Sequence, residues 1–156
     1  MLLINIYRPP KYTASFLTDI SELLSVCFTN HDRILITGDF NLHIDNDSDC
    51  NAMDFLQLLH SFDFIQHTAG PTHKHGHTLD LVISRGLNTV VDKIVDINIS
   101  DHYCLFFNIT IVGKVNNDTE RLIKRCFFSP TSAANFSIHT CSQPLSLMKS
   151  HQFMNK

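Results

Sequence analysis

The organisation of this chain is clearest at the stretch Arg33-Ile34-Leu35-Ile36-Thr37-Gly38-Asp39-Phe40-Asn41. Its apolar run is too short for a helix and is rich in β-branched residues, so it predicts a buried strand that ends at Gly38-Asp39. Asp39 and Asn41 lie two residues apart on an extended segment, and both side chains can therefore face the same side. A strand end of this kind is where a rigid sheet presents side chains to a cleft.

Regular elements are predicted on both sides of this strand. A β-type run fills Met1–Tyr7, and apolar residues at helical spacing predict an amphipathic helix over Ser15–Phe28. Asn51 could cap a second, short helix. Further strands are expected at 64–65, 78–84, 90–99 and 103–112. The order β, α, β, α and then several strands predicts an α/β or α+β layered domain.

Charge is distributed unevenly along the 156 residues, whose formal net charge is −3. Residues 1–112 hold six Lys/Arg against thirteen Asp/Glu, a net of −7, whereas residues 113–156 hold six against two, a net of +4. An acidic body is by itself a poor electrostatic match to nucleic acid. It suits a hydrolase that gathers carboxylates around a divalent cation, and equally an acidic surface that keeps a protein soluble. We take residues 113–156 as a weakly ordered connector or tail.

The cysteines and the apolar runs constrain where the protein is found. Five cysteines, odd in number and without a CxxC pair, fit a reducing compartment. No apolar run approaches the ~20 residues that a membrane helix needs, and the first residues lack the features of a signal peptide. We therefore expect a nuclear or cytoplasmic protein that is neither secreted nor bound in a membrane.

Three polar motifs at predicted strand ends could carry chemistry: Gly38-Asp39-Phe40-Asn41, Thr78-Leu79-Asp80-Leu81 and Ser100-Asp101-His102. Hydrolysis of a phosphodiester needs a cation, a base that orients or deprotonates water, and a cationic donor for the developing charge. Asp101 offers a hard oxygen ligand beside an imidazole, and Asp80 could fix the tautomer of that imidazole and raise its pKa. The alternative is that these residues have no chemical role and only form turns, in which Asp and Asn are common.

Taken in order, Tyr7 and these three motifs resemble the C-terminal half of the endonuclease/exonuclease/phosphatase superfamily. Two longer segments that contain these residues, Tyr7-Arg8-Pro9-Pro10 and the run from Thr72 to Ser84, are similar to segments of the endonucleases of LINE-type (non-LTR) retrotransposons. The resemblance covers residues 2–111. It implies an α/β four-layer sandwich whose N-terminal half is missing from this chain. It also implies Mg²⁺ or Mn²⁺ as the cofactor and DNA, nicked by hydrolysis, as the substrate. No stable protein partner can be inferred.

The resemblance implies a role for each matched residue. Asp39 would orient or activate the attacking water, and Asn41 would steady water and phosphate. A protonated His102, paired with Asp80, would stabilise the transition state. The implied set comprises Tyr7, Asp39, Asn41, Asp80 and His102 as catalytic residues, with Tyr7 donating to the phosphate, Thr78 as a substrate-binding residue, and Asp101 at the metal.

The chain departs from the family pattern at the metal site. The family's first half carries a strand-end Asn and a Glu that is the principal metal ligand, and the two glutamates here, Glu22 and Glu120, occur in the wrong context. We therefore expect an incomplete metal site, an apolar sheet face without its partner, and weak or absent activity of the chain alone. Two alternatives stay open: another phosphoester substrate within the same superfamily, or a catalytically dead remnant that only binds.

The histidines His73, His75 and His77 alternate along one segment and could suggest a zinc or nickel site. No Cys lies nearby, and three imidazoles at this spacing do not readily close a tetrahedron around an ion. We therefore interpret the segment as a polar loop that enters the strand predicted at 78–84.

Overall fold

The order of strands and helices comes from a computed structural model, which describes residues 1–11 and 13–110 together with the backbone of 123–124 and 135–140. The elements are β1 (Leu2–Tyr7), α1 (Phe16–Asn30), β2 (Ile34–Asp39), α2 (Cys50–Ser61), β3 (Ile65–Gln66), β4 (Asp80–Arg85), β5 (Asn88–Val95), β6 (Cys104–Thr110), β7 (Ile123–Lys124) and β8 (Asn135–Thr140). Among the described residues, no helix has the length and apolar character needed to cross a membrane.

The larger sheet has six strands in the order β3-β4-β2-β1-β8-β7. β1 and β2 are parallel neighbours with α1 in the connection between them, since parallel strands need a crossover. β4 runs antiparallel to β2, with Ile36 opposite Ile83 and Asp39 opposite Asp80. The C-terminal ends of β1 and β2 and the N-terminal end of β4 therefore meet at one end of the sheet.

Both helices pack on one face of this sheet. The rings of Phe16 and Phe40 lie against Phe55 of α2, with centroid separations of 6.0 and 5.2 Å. Side chains alternate across a strand, so every second strand residue faces the helices. The strand residues in this core are Leu2, Ile4, Ile6, Ile34, Ile36, Leu81 and Ile83.

The opposite face of the large sheet carries the polar strand residues. Thr37 and Asp39 of β2 and Ser84 of β4 are buried there. The hydroxyl of Thr89, at the start of β5, donates to the Ser84 hydroxyl at 3.1 Å, and β5 and β6 form a separate two-stranded sheet. The residues 105–107 of β6, all apolar, are only half-buried, so the small sheet leaves apolar surface partly exposed.

The mixed order of strands and helices agrees with the α/β class predicted from the sequence, and most elements lie within a few residues of their predicted bounds. One local prediction is wrong: Asp49, not Asn51, caps α2. The Asp49 carboxylate accepts hydrogen bonds from the backbone N–H groups of Asn51 and Ala52 at 3.0 and 3.3 Å, which satisfies amides that have no partner within the helix.

The end of β5 also differs from the prediction. The strand stops at Val95, although apolar residues continue to residue 99. Asn98 adopts a positive φ of 54°, and its N–H donates to the Asp96 carboxylate at 2.7 Å. This side-chain turn competes with continued strand pairing.

The predicted connector at 113–156 lies outside the described residues, except for the backbone of β7 and β8. β8 pairs antiparallel with β1, and β7 pairs with β8. The domain boundary at residue 112 and the four-layer sandwich stay predictions.

Gly38 occupies a position where the sheet leaves no room for a side chain. Its φ is +142°, and an added Cβ would lie 1.8 Å from the carbonyl oxygen of Ile6 on β1. We expect Gly38→Ala to cost more than about 4 kcal/mol, because a backbone contact cannot be relieved by moving a side chain. Thermal unfolding measures this. The control is Gly76→Ala, since Gly76 has φ +85° but nothing within 4 Å of an added Cβ, and about 1–2 kcal/mol is expected. Equal unfolding temperatures for the two variants would contradict the prediction.

Candidate active site

Three polar residues lie in one row across the end of the large sheet. Tyr7 ends β1, Asp39 ends β2 and Asp80 begins β4. The strand register places Tyr7 beside Asp39, and Asp39 beside Asp80. Residues paired in register project from the same face of a sheet. Tyr7 is 45% exposed and Asp39 only 9%, so the row combines an accessible phenol with a sheltered carboxylate.

Asn41 fixes the orientation of the Asp39 carboxylate. The Asn41 backbone N–H donates to Oδ1 of Asp39 at 3.0 Å, and the Asn41 side-chain Nδ2 donates to Oδ2 at 2.9 Å. Nδ2 also donates to the carbonyl oxygen of Arg8 at 2.6 Å. Asn41 has a φ of 47°, a left-handed conformation that Asn adopts more readily than most residues. Both carboxylate oxygens are therefore held by one residue of a tight turn.

Arg8 supports the same turn from within the protein. It is 2% exposed, and its Nη1 donates to the carbonyl oxygens of Phe40 and Asn41 at 3.1 and 3.0 Å. Its guanidinium carbon lies 4.9 Å from the centroid of the Phe16 ring. Its backbone N–H donates to the Asp39 carbonyl oxygen at 2.8 Å. The chain just after β1 is thereby joined to the chain just after β2.

His102 stands between the two carboxylates. Its Nδ1 lies 2.8 Å from Oδ2 of Asp80 and donates to it, which fixes the tautomer and the orientation of the ring. Its Nε2 lies 4.0 Å from Oδ2 of Asp39. This separation exceeds a hydrogen bond. Nε2 therefore faces a gap, on the far side of which lies Asp39.

Burial and neighbouring charge shift the pKa values of both partners across this gap. Burial, followed by the charge of Asp80, raises the pKa of Asp39 to about 6, against the opposing effects of Asn41 and His102. Burial lowers the pKa of His102, but the hydrogen bond to Asp80 and the nearby negative charges outweigh it, so the pKa lies above its usual 6.5. A carboxyl and an imidazole whose pKa values are both raised, on two sides of one gap, are suited to proton transfer.

Thr72 anchors the loop that leads into β4. It is fully buried, and its hydroxyl oxygen accepts hydrogen bonds from the backbone N–H groups of Leu79 and Asp80, both at 2.9 Å. Its carbonyl oxygen accepts from the N–H of Tyr103 at 2.7 Å. Thr72 thus ties the start of β4, with Asp80, to the segment that carries His102.

Thr78 lies inside the same loop. It is 4% exposed, and its hydroxyl donates to the carbonyl oxygen of Gly70 at 2.7 Å. Its backbone N–H donates to Oδ1 of Asp45 at 2.9 Å. The hydroxyl proton is therefore used within the loop, and a contact of Thr78 with the phosphate stays a prediction.

Asp101 lies next to His102 on the outer side of the site. Its side chain is 66% exposed, and its Oδ2 lies 3.2 Å from Nε2 of His73. The hydrogen bond from His73 is the main reason that the pKa of Asp101 is below its usual value. Within the part of the chain that the structure describes, two groups of side chains have a geometry that could hold a metal ion, each with its ligand atoms within 4.8 Å of one another: His73, Asp101 and His102, and Asp39, Asp80 and His102.

The structure brings most of the predicted site residues together. Tyr7, Asp39, Asn41, Asp80 and His102 lie at one end of the sheet, Asp101 adjoins them through His102, and Thr78 is enclosed in the neighbouring loop. The catalytic and ligand roles of these residues stay predictions. The sequence analysis missed Arg8, Thr72 and His73 as supporting residues, because their partners are distant in the chain or depend on the folded loop.

Fold and site together define an α/β protein with a carboxylate–imidazole site at the ends of its central strands. A family model described as endonuclease-reverse transcriptase matches residues 1–106, and the chain belongs to this family. The match supports the predicted likeness to retrotransposon-type endonucleases, and the family suggests nuclease activity on a nucleic acid. No curated protein matches the chain. That the chain is the C-terminal half of a larger domain stays a prediction.

Proposed function

We propose that the chain acts as a Mg²⁺-dependent endonuclease that nicks DNA by hydrolysing a phosphodiester bond. The observation that carries this proposal is the gap of 4.0 Å between Nε2 of His102 and Oδ2 of Asp39, with Asp80 behind the imidazole. At that separation a single oxygen atom, of water or of a phosphate, can lie within hydrogen-bond distance of both. Membership of an endonuclease family supports the class of reaction.

Asp39 and His102, on the two sides of the gap, have different roles in the proposed reaction. Asp39 is deprotonated above its pKa of about 6 and can orient the attacking water or accept its proton. His102 has a raised pKa and can direct an N–H at the negative charge that develops on the phosphate. Tyr7, exposed in the same row, donates a hydrogen bond to the phosphate. Asn41 keeps the Asp39 carboxylate from rotating away from the water.

The oxygen atoms of the site suit Mg²⁺ or Mn²⁺. Asp39, Asn41 and Asp101 are the candidate ligands, with hard oxygen donors and no thiolate among them. Asp39 and Asp101 belong to the two neighbouring groups that share His102. The fit rests on Asp39, whose buried carboxylate is next to that of Asp80, because a cation would offset the repulsion that helps to raise its pKa. When bound, the ion would neutralise charge on the phosphate and polarise its oxygens.

We further propose that this donor set lacks one carboxylate. Among the described residues the one glutamate, Glu22, is exposed on α1, which packs on the opposite face of the sheet from Asp39. A second half of a four-layer sandwich would supply the missing ligand and would cover the half-buried residues of β6. The chain alone should therefore bind Mg²⁺ weakly and nick slowly. A remnant that only binds would instead bind DNA without any metal-dependent nicking.

Nicking is expected with Mg²⁺ or Mn²⁺ and not with Zn²⁺, because the donors are hard oxygens. The measurement is conversion of supercoiled plasmid with protein in excess, which registers slow activity, after EDTA treatment and titration of each metal. Activity restored by Zn²⁺ alone, and abolished by replacing His73, His75 and His77 with alanine, would refute the proposal. DNA binding without nicking in any metal would favour the remnant.

The pH profile of nicking should be bell-shaped. The rate should rise as Asp39 loses its proton near pH 6 and fall as His102 loses its proton above pH 6.5. Asp80→Asn removes the charge that raises both pKa values, so both limbs should move to lower pH. If the alkaline limb moves down by about one pH unit, the rate at pH values well above that limb falls roughly tenfold.

The matched control for this experiment is Asp47→Asn, in the exposed part of the loop before α2. It should leave both limbs of the pH profile where they are. An Asp80→Asn profile that coincides with the profile of the unsubstituted protein would show that Asp80 does not set the pKa of His102.

A further inference from the structure

His73 is held on several sides beside the site. It is 8% exposed, and its backbone forms an isolated β-bridge with His102. Its ring centroid lies 4.9 Å from that of His102 and 4.8 Å from that of His75. Its N–H donates to the carbonyl oxygen of His77 at 3.1 Å. The ring therefore has one well-defined place against the segment that carries Asp101.

The hydrogen bonds of His73 define its tautomer. Nδ1 accepts the backbone N–H of His75 at 3.2 Å, so Nδ1 carries no proton. The proton of the neutral ring is therefore on Nε2, which donates to Oδ2 of Asp101 at 3.2 Å. A histidine that binds a metal offers the lone pair of one nitrogen to the ion and donates the N–H of the other nitrogen to a neighbour. In His73 that lone pair, on Nδ1, is already used to accept the His75 N–H. His73 is thus suited to support a ligand and not to be one.

We propose that His73 is a positioning residue that directs the Asp101 carboxylate at the metal ion. This rests on the proposed function, in which Asp101 is a ligand. The Asp101 side chain is 66% exposed and would otherwise rotate freely in solvent. A donor that fixes it before the ion arrives lowers the entropic cost of binding. Loss of such a partner behind a ligand typically weakens metal affinity about 10–100-fold.

The backbone around Asp101 is held independently of the His73 ring. The N–H of Lys74 donates to the Asp101 carbonyl oxygen at 2.9 Å, and the N–H of Tyr103 donates to the Thr72 carbonyl oxygen at 2.7 Å. Removing the ring should therefore leave the segment in place and release only the carboxylate. This separates an effect on positioning from an effect on folding.

Binding of Mn²⁺, measured by electron paramagnetic resonance, tests the proposal directly. His73→Ala should raise the dissociation constant for Mn²⁺ on the order of tenfold or more. His73→Gln, whose amide can donate to Asp101, should restore most of the loss. The matched control is His75→Ala, which removes an exposed neighbouring ring but keeps the N–H that reaches His73, and it should bind like the unsubstituted protein. Should His73→Ala fail to fold, His73→Leu fills the space without a donor and replaces it.

Nicking supplies the second measurement. In His73→Ala the metal concentration for half-maximal nicking should rise in step with the dissociation constant, while the rate at saturating Mn²⁺ stays within a few fold. Folded His73→Ala with unchanged Mn²⁺ affinity would overturn the proposal, and so would a loss that His73→Gln does not restore. Failure of the unsubstituted protein to bind Mn²⁺ would overturn the proposed function as well, and this outcome is distinct from the other two.

Discussion

Replacing His102 with alanine is expected to lower plasmid nicking on the order of 10³-fold, the largest effect that we expect of any single site residue. The Nδ1 of the imidazole is hydrogen-bonded to Asp80, and its Nε2 faces Asp39 across the gap. Alanine at this position removes both the N–H donor and the positive charge. Folding should be little affected, because the His102 side chain is 31% exposed and lies outside the apolar core. Single-turnover nicking and thermal unfolding on the same preparation provide the two measurements.

The control for His102 is His60→Ala, which removes an exposed imidazole from α2 and should leave nicking unchanged. Near-normal nicking by His102→Ala would show that the assignment of the donor is wrong. A loss of nicking together with a large fall in unfolding temperature would show that His102 serves the structure and not the reaction.

Replacing Asp39 with asparagine is expected to lower nicking about 10²- to 10³-fold, within the range for loss of a general base. The side chain keeps its shape but loses the charge that orients water, accepts its proton and helps to hold the metal. It also turns one acceptor into a donor, which faces Asn41 groups that themselves donate. The loss should persist at saturating metal, which distinguishes Asp39 from the positioning role of His73.

Asp47→Asn is again the matched control, since it removes an exposed carboxylate eight residues away in the chain. Full activity is expected for this variant. If Asp47→Asn lost activity and Asp39→Asn did not, the carboxylate that serves the reaction would lie in the loop before α2 and not at the end of β2.

The central strands could be predicted because their signals are local. The apolar run at 34–36, and the glycine and polar residues that follow it, indicate β2 and its end without knowledge of any neighbouring segment. The same holds for the helical spacing of α1. The presence of Asp39, Asp80 and His102 at strand ends followed from those assignments. Their meeting at one end of the sheet was implied by the resemblance and not by the residues alone.

The supporting residues could not be predicted, because their roles depend on contacts between distant segments. Arg8 follows a strand and precedes two prolines, a context typical of a surface loop, yet its guanidinium holds carbonyl groups more than thirty residues away. Thr72 and His73 act only when their loop folds against the segment around Tyr103. For the α2 cap, Asp49 and Asn51 are both good capping residues, and the sequence does not show at which residue the first helical turn begins.

The site also has an order of assembly in time, because its parts are far apart in the chain. Tyr7 and Asp39 are synthesised before His102, which follows Asp39 by 63 residues. A ribosome that adds about 5–20 residues per second needs roughly 3–13 s to make that stretch. Throughout that interval the buried carboxylate has no imidazole across the gap. A chain that cuts nucleic acid with this site would therefore be inactive at least until His102 has been synthesised.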